Sequence, residues 1–331
     1  MKLSDRKKVI LAEIGLLSCG VIWGGGFVIM KASLDYLPIT WLLGVRFSAA
    51  GLILGVICFK KLKKADKRTL RGGLLAGVLL FCAFLTQTIG LLGTTAGNNA
   101  FLTATYVVLV PFFHLLLSKK RPGARAMIAA VVCFLGVGVI ALNEGLRVYA
   151  GDLWTLSCGI FFALHMIAVE RYTQSGVDVM PLTAIQFLSV GALGLLTGAA
   201  FEAPPSRAAL FSDNVVFSMA YLVLLGTVYA LGVQNIGMCY VQSSHVSLLL
   251  GTEALFGFLA GVVFLGEPFS LRFVIGALLI AGAIVISELG EGRRAMGRQA
   301  TRNGETGKEK TGNGETGNGA VNGARLTMGD K

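Results

Sequence analysis

Ten apolar runs, each long enough to cross a bilayer as a helix, constrain this chain more than any single residue does. A helix rises 1.5 Å per residue and needs about 20 apolar residues to span the hydrocarbon. Such runs lie near 12–31, 39–59, 73–92, 98–117, 126–143, 153–170, 181–201, 215–235, 245–265 and 271–289. Composition points the same way. Of 331 residues, 54% are hydrophobic and 14% are charged, where a soluble domain carries roughly a quarter charged. Most of the surface must therefore meet lipid. The net charge of +11 invites a nucleic-acid reading, but the basic residues cluster between apolar runs and in the tail. That distribution is a membrane-topology signal, and no nucleic-acid partner is expected.

The six cysteines, Cys19, Cys58, Cys82, Cys133, Cys158 and Cys239, lie in or beside the apolar runs. They form no C-x-x-C pair and no zinc spacing, so they read as small packing residues. No metal or cofactor is expected. The N-terminus is basic and then apolar, like a signal peptide. The run continues to about Met30 with no A-x-A site behind it, which predicts an uncleaved first span.

Orientation follows from Lys and Arg. With ten spans and the N-terminus inside, the inward side holds the N-terminal basics, the cluster from Lys60 to Arg71, Lys119 to Arg125, and Arg171. The outward side holds Lys31, Arg147, Arg207 and Arg272, sixteen basic residues against four. Basic loops stay on the cytoplasmic side, so both termini are predicted to be cytoplasmic, in a multi-pass protein of the cell membrane. Residues 290–331 are rich in Gly, Asn, Thr, Glu and Lys, with NGETG at 303 and at 313. They predict a disordered tail.

The apolar part repeats itself. Leu17-Ser18-Cys19-Gly20-Val21 returns as Leu156-Ser157-Cys158-Gly159-Ile160. Carried forward, Trp23 aligns with Phe162, Gly26 with His165, Lys31 with Glu170, Arg46-Phe47 and Gly51 with Gln186-Phe187 and Gly191, and Gln87 with Gln234. The offset drifts only from 139 to 147 residues. The predicted organisation is a cytoplasmic N-terminus at 1–11, a first five-helix repeat at 12–143, a second at 151–289, and the tail at 290–331. Five is odd, so the second half enters the membrane from the opposite side. The expected fold is an all-α membrane protein of ten transmembrane helices in two inverted five-helix repeats, an architecture that recurs in transporters. A substrate is then expected near the midplane, between the halves.

In this order, several motifs resemble the EamA-type members of the drug/metabolite transporter superfamily. They are Trp23-Gly24-Gly25-Gly26-Phe27, Arg46-Phe47, Asn99-Ala100-Phe101-Leu102 with Pro111 after it, and Glu253 followed by Gly266-Glu267-Pro268. The resemblance covers residues 12–289. It implies ten helices, cytoplasmic termini, a central cavity, and export of amino acids or other metabolites. One position departs from it. Family members often follow the ninth-span glutamate with proline, and here Ala254 follows Glu253, which weakens the expectation of a bend at that point.

Polar groups in lipid cost a few kcal/mol on insertion scales, so each should face the bundle interior. Glu253 can bind a proton, making the proton a candidate coupling ion, or pair with a cationic substrate. Alternatively it holds a fixed partner. Arg46 can bind an anion or serve a structural pairing. His165, at mid-span where the first repeat has glycine, is either a packed donor or part of the path. Trp23 either lines a cavity or fills a helix crossing. Asn99, Thr103 and Tyr106 share one face by their spacing, and Gln87 and Gln234 add amides. The cavity candidates are thus Trp23, Gln87, Asn99, Tyr106, His165, Gln234 and Glu253. Pro111 would free the carbonyl of Val107 and offer a bend. His114, His245, Lys31 and Glu170 read as structural or interfacial.

The function expected is a secondary transporter, an exporter of a small metabolite such as an amino acid. No GxxxxGK[ST] motif for ATP is present. A membrane enzyme acting on a lipid-like substrate is the alternative. It would need clustered carboxylates or a His/Asp group at one face, and Asp35, Asp152, Asp178 and Asp213 stand apart in sequence. The oligomeric state is not specified by the sequence.

Overall fold

A computed structural model describes residues 3–118, 123–141, 150–266, and 271–286 apart from 273, 277 and 284. The predicted tail, 290–331, lies outside them. Among the described residues every regular element is helical. The helices are α1 (Leu3–Ser33), α2 (Ile39–Ile57), α3 (Phe59–Leu62), α4 (Lys67–Leu92), α5 (Ala96–Thr103), α6 (Tyr106–Ser118) and α7 (Ala124–Ala141). They continue with α8 (Ala150–Gln174), α9 (Val179–Phe201), α10 (Arg207–Leu210), α11 (Asp213–Ala220), α12 (Ala230–Gly237), α13 (Ser243–Leu250) and α14 (Glu253–Leu265). A π-helical segment, Tyr221–Tyr229, joins α11 to α12.

Eight stretches are long and apolar enough to cross a membrane: Lys7–Ser33, Ile39–Ile57, Lys67–Leu92, Asn99–Leu117, Ala150–Gln174, Val179–Phe201, Asp213–Gly237 and Ser243–Phe264. They match eight of the predicted runs within a few residues. The runs predicted at 126–143 and 271–289 extend into undescribed residues. Within the described set they contain shorter apolar helices, Met127–Gly136 and Val274–Ala283. Large apolar side chains such as Val56, Val78, Leu196 and Val263 are exposed on the outside of the bundle, as lipid contact requires.

Local chemistry sets the helix ends. Asp66 caps α4 by accepting from the Thr69 amide at 2.8 Å, and Asp178 caps α9 by accepting from the Met180 amide at 3.1 Å. Pro38 precedes α2 and offers no side-chain cap. Glu202, at the far end of α9, supplies one, accepting from the Thr40 amide at 3.0 Å and its hydroxyl at 2.5 Å. A carboxylate is well placed at a helix N-terminus.

The loops sort to two ends of the bundle. Residues 34–38, 93–95 and 202–206 gather at one, here the upper end, where Lys31 reaches the Thr94 carbonyl at 3.4 Å. Residues 63–66, 175–178 and 238–242 gather at the lower end, where Lys61 pairs with Asp178 at 2.8 Å. Burial raises the Asp178 pKa, but the Lys61 hydrogen bond and charge outweigh it and hold the carboxyl below its ordinary value.

The core depends on close helix approaches. Helices α2 and α9 run antiparallel, and a Cβ on Gly194 would fall on the Gly44 backbone. Small residues allow this contact, which packing rather than hydrophobic exclusion must stabilise in lipid. Phe47 and Phe187 meet edge-on in the same seam, 5.9 Å between centroids.

Two spans are broken. Between α5 and α6, the Thr105 amide and hydroxyl both reach the Leu102 carbonyl, at 3.2 and 2.7 Å. Between α13 and α14, the Thr252 amide and hydroxyl both reach the Leu249 carbonyl, at 3.3 and 2.7 Å. Each break is a tightened three-residue turn sealed by a threonine hydroxyl. The span is interrupted beside Glu253, at Gly251–Thr252, although Ala254 stands where the resembling family often has proline. Pro111 lies inside α6, and the break comes earlier, at Ala104–Thr105.

Candidate functional site

The two breaks bring Tyr106 and Glu253 together as the first residues of α6 and α14. The Tyr106 hydroxyl donates to Glu253 Oε1 at 2.9 Å, and both side chains are buried. Above this pair opens a cavity enclosing about 680 Å³ of empty space, its mouth included. Its wall takes Trp23, Gly26, Phe27 and Met30 from α1, Arg46 from α2, and Phe84, Gln87, Thr88 and Leu91 from α4. Asn99, Thr103, Phe162, Met166, Leu222, Gly226, Gln234 and Leu250 complete it. Met30 and Leu91 lie near the last turns of their helices, so the cavity runs from Glu253 toward the upper end.

Of the residues expected at a site, the structure brings Trp23, Arg46, Gln87, Asn99, Tyr106, Gln234 and Glu253 onto this one wall. His165 lies elsewhere, fully buried beside Gln186. The composition alone did not single out Phe84 and Phe162. Phe162 carried a signal all the same, since it aligns with Trp23 in the repeat.

Arg46 is held without an acidic partner among the described residues. Its Nε donates to Thr227 Oγ1 at 2.7 Å and its Nη2 to the Gly226 carbonyl at 3.3 Å. Its guanidinium also lies over the Phe84 and Phe47 rings, at 4.9 and 5.1 Å, a favourable placement for a desolvated cation. The π-helical turn supplies these acceptors. The Gly226 carbonyl takes a second bond, from the Trp23 indole at 2.9 Å. π-Helical turns often mark functional positions. Trp23 thus both lines the cavity and pins α1 to this turn.

The amides are partly spent. Asn99 Nδ2 donates to the Gln87 carbonyl at 3.0 Å and to Thr155 at 2.8 Å, and Gln87 donates to Thr103 at 3.1 Å. Asn99 Oδ1 and Gln234 Nε2 find no partner among the described residues. The wall therefore offers donors at Arg46 and Gln234, acceptors at Glu253 and Asn99, and aromatic faces between them. Such a set fits a small solute with groups of both charge signs. Among the described residues no cluster of His, Cys, Asp and Glu could hold a metal.

Below the cavity the bundle is closed by polar contacts. Glu170 Oε2 lies 2.6 Å from His114 and accepts from Ser243 at 2.7 Å, while Oε1 accepts from Gln174 at 2.8 Å. His245 approaches Glu13 at 3.5 Å. Glu170, near the lower end of its helix, is thus a buried tie between α6, α8 and α13.

Two contacts repeat across the chain. Gly20 packs against Thr252 and the Glu253 amide, and Gly159 packs against Thr105 and the Tyr106 amide. Gly20 and Gly159 align in the repeat, and the 147-residue offset of Gln87 and Gln234 also relates Thr105 to Thr252 and Tyr106 to Glu253.

Comparison with known proteins gives the same picture. The model of the EamA-like transporter family matches the chain twice, over residues 10–142 and 149–288. An uncharacterized transporter of Archaeoglobus fulgidus is 28% identical over 282 residues, 85% of this chain and 87% of that one. The uncharacterized transporter YvbV of Bacillus subtilis is 27% identical, over 80% of this chain and 88% of that one. The uncharacterized inner membrane transporter YedA of Escherichia coli is 27% identical, over 72% of this chain and 80% of that one. A crystal structure with 17% sequence identity shares the fold at a TM-score of 0.70, covering 85% of this chain and 98% of that one. With two matches that together span the membrane part, the chain belongs to the EamA-like transporter family.

Proposed function

We propose that this protein is a secondary transporter that exports a small polar metabolite, with an amino acid as the type case. It works by alternating access between two inverted five-helix repeats in the cell membrane. The observation that carries the reading is a cavity whose wall holds an unneutralised guanidinium, Arg46, and a carboxylate, Glu253. A zwitterion matches that pair. The aromatic faces of Phe84, Phe162 and Trp23 suit its apolar part.

The ten-helix inverted plan draws support from three observations. The family model matches each half separately. Aligned phenylalanines, Phe47 and Phe187, touch each other. The Gly20 and Gly159 contacts are equivalents of one another. The basic cluster at 60–71 accompanies the lower end, so the lower end and both termini are assigned to the cytoplasm. The cavity then faces outward. Glu253 is assigned the coupling proton, and the Tyr106 hydroxyl beside it holds its carboxyl in place. Two antiparallel halves that trade conformations give both access states from one sequence plan.

The test is transport in proteoliposomes holding the purified protein. Labelled amino acids and common cationic drugs are offered with and without a pH gradient. Uptake or efflux of an amino acid above empty liposomes is expected, and no movement of any compound overturns the reading.

A further inference from the structure

The cavity wall is unequal between the two halves. Some aligned residues line it from both sides: Trp23 with Phe162, Gln87 with Gln234, Tyr106 with Glu253. Others line it from the first half only. Gly26, Arg46 and Thr88 are on the wall, while their equivalents, His165, Gln186 and Asn235, are not. Those three are off the wall, at 0% exposure each, although their neighbours Met166 and Gln234 line it.

The three equivalents form a cluster of their own. Asn235 Nδ2 donates to Gln186 Oε1 at 3.1 Å and to Thr183 at 3.0 Å, and His165 lies beside Gln186. His165 and Gln186 face each other but miss good hydrogen-bond geometry, and Asn235 Oδ1 has no partner among the described residues. A buried polar group without a partner is uncommon enough to require an explanation. These atoms include a donor, an acceptor and an imidazole that can be either. They are fully buried in a segment where apolar side chains would pack at no such cost.

We propose that His165, Gln186 and Asn235 are a second, latent wall of the substrate path. It is closed in this conformation and lines the cavity when the protein opens toward the lower end. This rests on the alternating-access reading above. When inverted halves exchange conformations, each residue takes the environment of its equivalent. Gln186 then takes the place that Arg46 has here, and His165 and Asn235 take those of Gly26 and Thr88. The latent wall receives the polar group of the same small solute. It does so with neutral hydrogen-bonding groups, where the open wall uses a fixed cation. A charged solute is held less firmly on the lower side than on the upper.

The experiment is thiol labelling with a charged, membrane-impermeant methanethiosulfonate. It uses right-side-out and inside-out vesicles of active protein, with the labelled residue located by mass spectrometry. Thr88→Cys is expected to react from the upper face. Asn235→Cys is expected to react only from the lower face, at a rate that drops at least tenfold once Thr88→Cys in the same chain has been modified. Val246→Cys, the equivalent of the wall residue Asn99, is a second probe that leaves the polar cluster intact, and the same lower-face labelling is expected. The inference is overturned if both Asn235→Cys and Val246→Cys stay unlabelled, or label from the upper face, in protein that still transports. Loss of all transport by the unmodified protein would overturn the functional reading instead, so the two failures are distinct.

Discussion

The hydroxyl of Tyr106 donates to the carboxylate of Glu253 at 2.9 Å, and the two residues are 147 positions apart in a chain that repeats at that offset. Each begins a half-helix after a threonine-sealed break. Two equivalent positions thus meet at the floor of the cavity, one as donor and one as acceptor. Replacing Glu253 by Gln keeps the shape and removes the titratable group. Transport by Glu253→Gln in proteoliposomes is expected to lose its dependence on a pH gradient, with flux at least tenfold down. Tyr106→Phe removes one hydrogen bond, worth about 1 kcal/mol, so a drop of roughly fivefold is expected, with the pH dependence kept.

Arg46 has two hydrogen bonds and two ring faces but no acidic partner among the described residues. Lysine keeps the charge but cannot form the planar fork or stack in the same way. Arg46→Lys is expected to raise the half-saturating concentration of a zwitterionic or anionic substrate at least tenfold, with thermal stability close to that of the parent. Arg46→Met, which also removes the charge, is expected to abolish that transport. Flux at a range of substrate concentrations checks both.

Gly159 lets α8 approach the break at Thr105, and a Cβ there would fall on the Thr105 hydroxyl. Overpacking of this kind costs roughly 1–3 kcal/mol. Gly159→Ala is expected to lower the melting temperature, and Thr105→Ala in the same chain to restore part of it. The pair Gly20→Ala and Thr252→Ala should behave alike, since Gly20 meets Thr252 in the same way. A thermal-shift series in detergent reads all four variants.

Glu170 joins His114, Ser243 and Gln174 at the lower end. Removing its charge weakens three ties at once and leaves His114 short of an acceptor. Glu170→Gln is expected to destabilise the closed lower end, seen as faster proteolysis or thiol labelling from the lower face while the cavity side is unchanged. His114→Gln, which can still donate to Glu170, is expected to do so less.

The Lys61–Asp178 pair is exposed, with 58% and 45% of the side chains accessible. Its depressed Asp178 pKa contributes stability that is present above the unfolded carboxylate range and is lost as pH falls through the folded value. No change is therefore expected between pH 6 and 8. Asp178→Asn, which can still cap α9, is expected to lower the melting temperature at pH 7 only slightly, because isolated surface pairs contribute little.

Much of the cavity wall was legible in the residues. Trp23, Gln87, Asn99, Tyr106 and Glu253 stood out because polar and aromatic groups inside apolar runs have to face inward. The register of the repeat named Phe162 and Gln234 by alignment with Trp23 and Gln87. The absence of proline after Glu253 weakened the expectation of a kink there, and the break comes instead from a threonine hydroxyl competing for a backbone carbonyl, which has no strong sequence signature. His165 was placed with the cavity residues because it stands at mid-span where the first repeat has glycine, and it lies off the wall beside Gln186 although its neighbour Met166 lines it.

The sequence by itself determined that the chain lives in a membrane, where eight of its spans run, that it is doubled, and which polar residues must turn away from lipid. Those properties follow from local hydrophobicity and from counting along the chain, because a bilayer penalises every unburied polar group. Only the tertiary structure decided which of these polar residues share one wall. It put Arg46 against a π-helical carbonyl 180 positions away, joined Tyr106 to Glu253, and left His165, Gln186 and Asn235 buried off that wall. The physical reason is that helix contacts in lipid are set by small residues and hydrogen bonds at crossings. Which crossings form depends on the whole packed bundle and on no single stretch of it.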